Sequence, residues 1–163
     1  MNIIVTGASG FIGSNLVKFI RKNIEANVLS VARTNKENVN HIVKNYEQVI
    51  DLNKNNNILI HLAGQNVSNN ELNKEEYITL KSLSQIYRNR MVYISSALVY
   101  GDNIKGKVDE DYPLNGYSNY AINKINSEKE VLRNCGTVLR LANVYGEGMS
   151  KKSVFYDIYK QFL

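Results

Sequence analysis

Three tyrosines in the sequence stand four positions ahead of a lysine, a spacing that puts both side chains on one face of a helix. An ammonium group so placed stabilises the phenolate and lowers the phenol pKa from its usual value of about 10, so the pair can exchange a proton with a substrate. Spacing alone does not choose among the three, because each also suits an ordinary pair of surface side chains. The pairs are Tyr77/Lys81, Tyr120/Lys124 and Tyr156/Lys160.

Chain order favours Tyr120/Lys124. Only this pair follows a serine at the end of a predicted strand, Ser96, and opens a predicted helix that leads to the next strand. The Ser96 hydroxyl can hold a carbonyl or hydroxyl oxygen beside the phenol while Tyr120 takes or gives the proton. Ser96, Tyr120 and Lys124 are therefore the candidate catalytic residues.

A glycine-rich turn at residues 6–13 is the second candidate site. It follows a short apolar strand and precedes apolar residues at helical spacing, the context that a dinucleotide-binding turn requires. Gly7 permits a sharp turn, Gly10 lets backbone amides approach a pyrophosphate, and Gly13 lets the helix pack on the strand. The helix N-terminus favours phosphate. The alternative is an ordinary glycine-rich turn in another α/β domain.

The remaining pattern alternates apolar strands with helices, which predicts an α/β fold with a doubly wound parallel sheet. Gly7, Gly64, Ser96 and Asn143 all follow predicted strands, so they are expected at one ligand-binding edge. The predicted strands are 2–5, 27–32, 41–44, 58–64, 91–94 and 137–141, and the predicted helices are 11–22, 47–54, 74–88 and 117–134.

Residues 33–58 allow two interpretations. A strand at 47–50, with Asp51 and Leu52 contacting adenine, would leave only a few residues before the next strand, whereas a parallel crossover needs about a dozen. We therefore predict a strand at 41–44 and a short helix at 47–54.

Composition sets further bounds. The chain has 163 residues, enough for one domain, with 44% hydrophobic and 21% charged residues. Its net charge is +5, but the basic residues are scattered without interleaved aromatics, so we expect no nucleic-acid partner. The absence of a long apolar run and of a basic, apolar leader, with a single cysteine, Cys135, predicts no membrane association and a cytoplasmic location. No metal site is predicted.

The motifs together resemble the extended short-chain dehydrogenase/reductase family. The strings are TGASGFIG, HLAG, SSALVYG, YAINK and LRLANVYGEG. Within that family they look like the NAD(P)-dependent nucleotide-sugar epimerase/dehydratase group. The resemblance implies a Rossmann-like fold, an NAD(P) cofactor and a nucleotide-sugar substrate.

The resemblance also assigns roles to individual positions. Ser96, Tyr120 and Lys124 match the catalytic residues, and Lys124 also binds the nicotinamide ribose. Ser96 and Asn143 match positions near the sugar. The implied cofactor-binding positions are Gly7, Gly10, Phe11, Ile12, Gly13, Leu62, Ala63, Gly64 and Lys124.

Arg33 bears on the choice of cofactor. NAD-binding units carry an acidic residue near the end of the second strand, whereas this chain has Ala32 followed by Arg33. An arginine there can pair with a 2′-phosphate, which favours NADP over NAD. The alternative is a solvated arginine in a loop.

The resemblance implies hydride transfer as a 4-epimerase or 4-ketoreductase in surface polysaccharide biosynthesis. Ser96, Ala97 and Leu98 replace the Thr-Asp-Glu of 4,6-dehydratases, which disfavours dehydration. Arg33 favours a reductase and the SSALVYG string an epimerase. The alternatives are an NADP(H)-binding regulatory module without turnover and a classical dehydrogenase of small carbonyl compounds.

The chain departs from the family pattern in three places: the short stretch between the second and fourth strands, Asn123 before the lysine, and Asn115-Gly116 where a proline is expected. Its length suggests an NAD(P)-binding domain at 1–148 and the start of a truncated substrate region at 149–163. An apolar side of a possible helix there, formed by Val154, Phe155, Ile158 and Phe162, suggests a missing partner. A homodimer is possible.

Overall fold

The structure, a computed structural model, describes residues 1–53, 56–64, 74–151 and 154–161. These residues form a parallel sheet of six strands in the order β3-β2-β1-β4-β5-β6, which confirms the predicted doubly wound, Rossmann-like fold. The strands are β1 (Asn2–Thr6), β2 (Asn27–Ala32), β3 (His41–Ile42), β4 (Ile58–His61), β5 (Met91–Ser96) and β6 (Thr137–Leu141).

Helices cover both faces of the sheet because successive strand residues point to opposite sides. On one side, Ile3 and Val5 pack with Val17 of the first helix. On the other side, Ile4 packs in a larger apolar cluster that includes Leu80. The helices are α1 (Phe11–Asn23), α2 (Lys74–Tyr87), α3 (Asn119–Arg133) and α4 (Val154–Gln161).

Of the two interpretations of residues 33–58, the structure confirms the one with a strand at 41–44, although the strand contains only His41–Ile42. The alternative strand at 47–50 is wrong, because Tyr46–Leu52 forms a 3-10 helix. The reason is tertiary: Val49 is fully buried and its carbonyl accepts a hydrogen bond of 2.9 Å from the hydroxyl of Tyr87. Lys54, the last residue of the predicted helix, lies outside the described residues.

Other element boundaries shift by a few residues. Strand β5 continues through Ser96, whereas β4 ends at His61 rather than at Gly64. Helix α4 forms as predicted, with Ile158 exposed and the ring of Phe155 stacked on Tyr145 at 5.1 Å. Phe162 lies outside the described residues. No helix in the described ranges is long and apolar enough to cross a membrane.

Two residues of the central strands form a buried polar pair. Thr6 and His61 are register partners in β1 and β4, and the Thr6 hydroxyl lies 2.8 Å from Nδ1 of His61. Burial, with the nearby Lys124 ammonium, lowers the pKa of His61 to about 3. His61 is therefore neutral in the folded protein at neutral pH, and it serves as a hydrogen-bonded residue of the core.

This environment predicts a loss of stability in acid. His61 is protonated below about pH 6.5 in the unfolded chain but only below about pH 3 in the folded protein. The contribution of neutral His61 to the free energy of unfolding is therefore complete above about pH 6.5 and declines as the pH falls. At pH 5 the loss from this residue is about 2 kcal/mol. Urea unfolding of the wild type and His61→Asn at pH 7.5 and pH 5 should show a smaller loss in the variant. The matched control is His41→Asn at the sheet edge, and equal losses in all three proteins would contradict the prediction.

Candidate active site

The glycine-rich turn joins β1 to α1 in a compressed loop. Gly7 has a φ of +70°, and a Cβ there would lie 2.9 Å from the backbone nitrogen of Ala63. A Cβ on Gly13 would lie 2.2 Å from the carbonyl oxygen of Gly7, so no side chain fits between α1 and the loop. Gly10 is the N-cap of α1 and donates a 2.9 Å hydrogen bond to that same carbonyl.

The loop leaves the start of α1 suited to an anion. The first amides of the helix belong to Phe11, Ile12 and Gly13, and amides at these positions have no partner within a helix. Gly10 has no side chain that could cap them. The segment after β6 borders this site, because a Cβ on Gly148 would lie 3.8 Å from the ring of Phe11.

Ser96 and Tyr120 meet at the carboxyl edge of the sheet. Ser96 ends β5, and its Oγ accepts a 3.2 Å hydrogen bond from the Leu98 amide. Ser118 caps α3 by accepting a 3.1 Å hydrogen bond from the Ala121 amide, which places Tyr120 in the first turn of the helix. The Ser96 side chain lies close enough to the Tyr120 phenol to lower its pKa.

The pKa of Tyr120 is raised above its ordinary value, which corrects the prediction that the neighbouring ammonium would lower it. Burial is the largest cause, the neighbouring Ser96 side chain lowers the pKa, and the carboxylate of Glu76 raises it further. Tyr120 is therefore a protonated phenol at neutral pH, and it has to lose this proton before it can act as a base.

Lys124 lies one turn further along α3 and is buried. Its Nζ donates a 2.9 Å hydrogen bond to the carbonyl of Ile94 and lies 4.6 Å from the ring centre of Tyr93 and 5.7 Å from that of Tyr120. Burial lowers the pKa of Lys124 to about 8, and Glu76 and Glu128 oppose that effect. The ammonium is thus held against β5 as well as against the phenol.

The other two tyrosine–lysine pairs lie elsewhere. The hydroxyl of Tyr77 donates a 3.1 Å hydrogen bond to Glu130 on α3, and Lys81 is exposed. Tyr156 and Lys160 are on α4, where Lys160 is exposed. Among the three pairs, only Tyr120/Lys124 lies beside Ser96.

The connection between β5 and α3 explains why a glycine replaces the expected proline. Gly116 passes so close to the carbonyl of Leu98 that a Cβ would lie 2.6 Å from that oxygen, and its amide donates a 2.9 Å hydrogen bond to the carbonyl of Val99. The segment that enters α3 is therefore fixed to the turn that follows Ser96.

A buried ion pair joins α3 to β6. Arg140 on β6 reaches the carboxylate of Glu128 on α3 with nitrogen–oxygen distances of 2.8 to 3.2 Å, and both side chains are largely buried. Ser95, next to Ser96, donates a hydrogen bond to Glu128. Arg140 also donates to the hydroxyl of Tyr100 at 2.9 Å and to the carbonyl of Glu110 at 2.7 Å.

Arg33 lies in the loop after β2, away from Ser96 and Tyr120. Its guanidinium carbon is 5.6 Å from the ring centre of Tyr46, and the side chain of Arg33 and the backbone of Gly7 are close enough to lower the pKa of the Tyr46 hydroxyl. Burial raises the pKa of Tyr46, and the charge of Arg33 opposes that effect. Nearby, Lys36 Nζ donates a 3.0 Å hydrogen bond to the carbonyl of Ser9.

A cleft of about 200 Å³ extends from Arg33 and Tyr46 to the end of β4 and the first turn of α2. Leu62, Ala63 and Gly64 follow β4 beside it, and Asn143 lies two residues beyond β6, exposed at the same edge. Tyr46 and Glu76 are among the cleft residues that the sequence reasoning missed. Tyr46 had a signal, since it comes two residues after the predicted strand at 41–44, but Glu76 lies within a helix and only packing brings it to the site. The lining includes Arg33, Tyr46, His61, Gly64, Glu76 and Thr79.

Known proteins similar to this chain include two curated epimerases. The chain is 32% identical to a protein of Methanocaldococcus jannaschii named "Putative UDP-glucose 4-epimerase", over 95% of this chain and 62% of that protein. It is 30% identical to the ADP-L-glycero-D-manno-heptose-6-epimerase of Brachyspira hyodysenteriae, over 98% of this chain and 61% of that protein. The chain thus spans about three fifths of the length of these relatives.

Among solved structures, the chain resembles a variant of UDP-glucuronic acid 4-epimerase from Bacillus cereus in complex with UDP-4-deoxy-4-fluoro-glucuronic acid and NAD. The TM-score is 0.80 at 22% identity, over 99% of this chain and 63% of that one, and this similarity supports the fold alone. The model of the NAD dependent epimerase/dehydratase family matches residues 3–162. The match confirms the family resemblance of the motifs, and the chain belongs to the NAD dependent epimerase/dehydratase family.

Proposed function

We propose that this chain is the NAD(P)-binding part of a nucleotide-sugar epimerase or ketoreductase acting at C4 of the sugar, in surface polysaccharide biosynthesis. In this proposal residues 1–148 bind the cofactor and residues 149–163 begin a substrate region. The family supports NAD-dependent chemistry, and the two curated relatives are named for epimerisation of a UDP-sugar and an ADP-sugar.

The observation that carries the proposal is the proximity of three groups at the carboxyl edge of the sheet. Ser96 acts on the phenol of Tyr120, and the Nζ of Lys124 lies 5.7 Å from the centre of the same ring. A phenol, a hydroxyl and an ammonium group at one end of an open crevice suit the oxidation and reduction of a secondary alcohol. Parallel α/β sheets bind their ligands at this edge.

The residues present fit a dinucleotide. The packing of Gly13 on Gly7 exposes the start of α1 to a diphosphate, and the amides of Phe11 and Ile12 would bind it. Ala63 and Gly64 would face the nicotinamide end, and Lys124 would hold its ribose hydroxyls. The bound cofactor supplies the hydride acceptor and donor.

The side chains of the protein then bind the substrate oxygen and transfer the proton. Ser96 would hold the oxygen at C4 of the sugar, and Asn143 would contact the sugar nearby. Tyr120 gives its proton to that oxygen when a ketone is reduced and accepts a proton when an alcohol is oxidised. Because burial raises the pKa of Tyr120, the oxidising direction should speed up as the pH rises above neutral.

Substitution of the phenol tests this mechanism. Tyr120→Phe should lower kcat by at least about 100-fold, because the proton donor is removed while the ring remains. Conversion of UDP-glucose and of ADP-heptose would be followed by product chromatography and NAD(P)H absorbance. Cofactor affinity, measured by NAD(P)H fluorescence, should change little.

Tyr77→Phe is the matched control, because that tyrosine also precedes a lysine by four positions but bonds Glu130. It should retain wild-type turnover. Full activity of Tyr120→Phe would refute the proposed mechanism. A complete protein, with its substrate region, that binds NAD(P)H and converts no sugar nucleotide would instead support the alternative, a binding or regulatory module.

NADP preference is the finer part of the proposal, and the similar structure described above contains NAD. The support for NADP is local. Arg33 and Lys36 bring two positive charges to the loop after β2, and the Thr34 hydroxyl lies 3.3 Å from that of Ser9. Two cations and two hydroxyls suit a 2′-phosphate.

The substitution Arg33→Ser tests the preference for NADP over NAD. Loss of the guanidinium should weaken NADPH binding by about 10-fold, the equivalent of about 1.4 kcal/mol, and leave NADH binding within about two-fold. Fluorescence titration of both cofactors measures the ratio. Lys18→Ser, which removes one positive charge from the exposed face of α1, is the control. Tighter binding of NADH than of NADPH by the wild type would show that the NADP preference is wrong.

A further inference from the structure

Glu76 brings a carboxylate to the cleft that none of the sequence motifs accounts for. It lies in the first turn of α2, and it lines the cleft together with His61 and Gly64. Its charge acts on three side chains of the site, Tyr93, Tyr120 and Lys124. A negative charge so close to the proposed catalytic groups must influence them.

Gly64 shows how closely Glu76 and Lys124 approach. A Cβ on Gly64 would lie 2.8 Å from Oε1 of Glu76 and 3.5 Å from Nζ of Lys124. The backbone of Gly64 lies outside the left-handed region, so its conformation does not demand glycine. The missing side chain therefore leaves a gap across which the carboxylate and the ammonium face each other.

Charged and titratable groups surround Lys124 on every element that packs against it. Glu128 and Tyr120 face it from α3, Tyr93 from β5, His61 from β4 and Glu76 from α2. The carboxylate of Glu128 is already engaged by Arg140 and Ser95 inside the core. Of the two carboxylates, Glu76 is the one on the cleft side.

We propose that Glu76 is a positioning residue of the active site, whose carboxylate attracts the Lys124 ammonium across Gly64 and helps to hold it beside Tyr120. Without it, the remaining attraction comes from Glu128 on the core side and from the Ile94 carbonyl. The role of Lys124 in catalysis rests on the proposed function, whereas the effect of Glu76 on the ammonium does not.

The direct test is a titration of the Lys124 side chain by NMR, without cofactor or substrate. Its 13Cε signal is assigned by its absence in Lys124→Arg and followed from pH 6 to pH 11. The wild-type midpoint is expected at about 8. In Glu76→Gln the midpoint should move to lower pH, because one of the two groups that favour the charged form is removed.

Two variants control this test. Glu25→Gln removes the same charge from an exposed position just before β2, at the opposite edge of the sheet, and should leave the midpoint unchanged. Gly64→Ala keeps both charges but inserts a methyl group between them, so it should move the midpoint in the same direction as Glu76→Gln. An unchanged midpoint in Glu76→Gln would overturn the proposal. If that variant does not fold, the result for Gly64→Ala decides in the same way.

Steady-state kinetics then distinguish a positioning role of Glu76 from a general loss of structure. In a protein that converts a sugar nucleotide, Glu76→Gln should lower kcat by about 10-fold, shift the alkaline limb of its pH profile to lower pH and leave KM within about two-fold. Glu76→Asp, which keeps the charge, should restore most of the rate. A complete protein without turnover would refute the proposed function, whereas the NMR titration supports or overturns the effect of Glu76 independently.

Discussion

The buried ion pair between Arg140 and Glu128 holds together the segments that carry the candidate catalytic groups. Arg140 lies on β6, Glu128 lies one helical turn beyond Lys124, and the same carboxylate is bound by Ser95, the neighbour of Ser96. A buried pair adds little net stability because desolvation offsets the attraction, but removal of one partner leaves an uncompensated charge. The pair therefore specifies one arrangement of α3 on the sheet. The positions of Tyr120 and Lys124 relative to Ser96 depend on that arrangement.

Burial dominates the electrostatics of the site. It raises the pKa of Tyr120 and lowers that of Lys124, which are opposite changes for an acid and a base and favour the neutral form in both cases. The carboxylates of Glu76 and Glu128 preserve part of the charge on Lys124. At neutral pH the phenol of Tyr120 is thus protonated and can donate its proton.

The crevice has two unlike ends on one sheet edge. At one end Arg33 lies over Tyr46, which also lies near the backbone of Gly7, so the glycine-rich turn and the loop after β2 are neighbours. At the other end the phenol, hydroxyl and ammonium groups converge. In the proposed function, the glycine-rich turn would bind the phosphates of a dinucleotide, and the phenol would lie near its redox ring.

The sequence predicted the alternating strands, the parallel sheet and the shared edge, because apolar periodicity and glycine spacing are local properties of the chain. It was less informative over residues 33–57, where β3 has only two residues and a 3-10 helix follows. That segment takes its form from the burial of Val49 beneath Tyr87, a contact between residues 38 positions apart. Local patterns contain no record of such contacts.

The sequence by itself therefore determined the fold class and the family resemblance, and it placed Ser96 and Gly64 at or after the ends of strands. The tertiary structure decided the ionisation of those side chains and the presence of Glu76 and Tyr46 among them. The physical reason is that desolvation and Coulomb interaction act through space. They depend on neighbours contributed by other strands and helices, such as Glu76 across Gly64 from Lys124, and only the packed structure defines those neighbours.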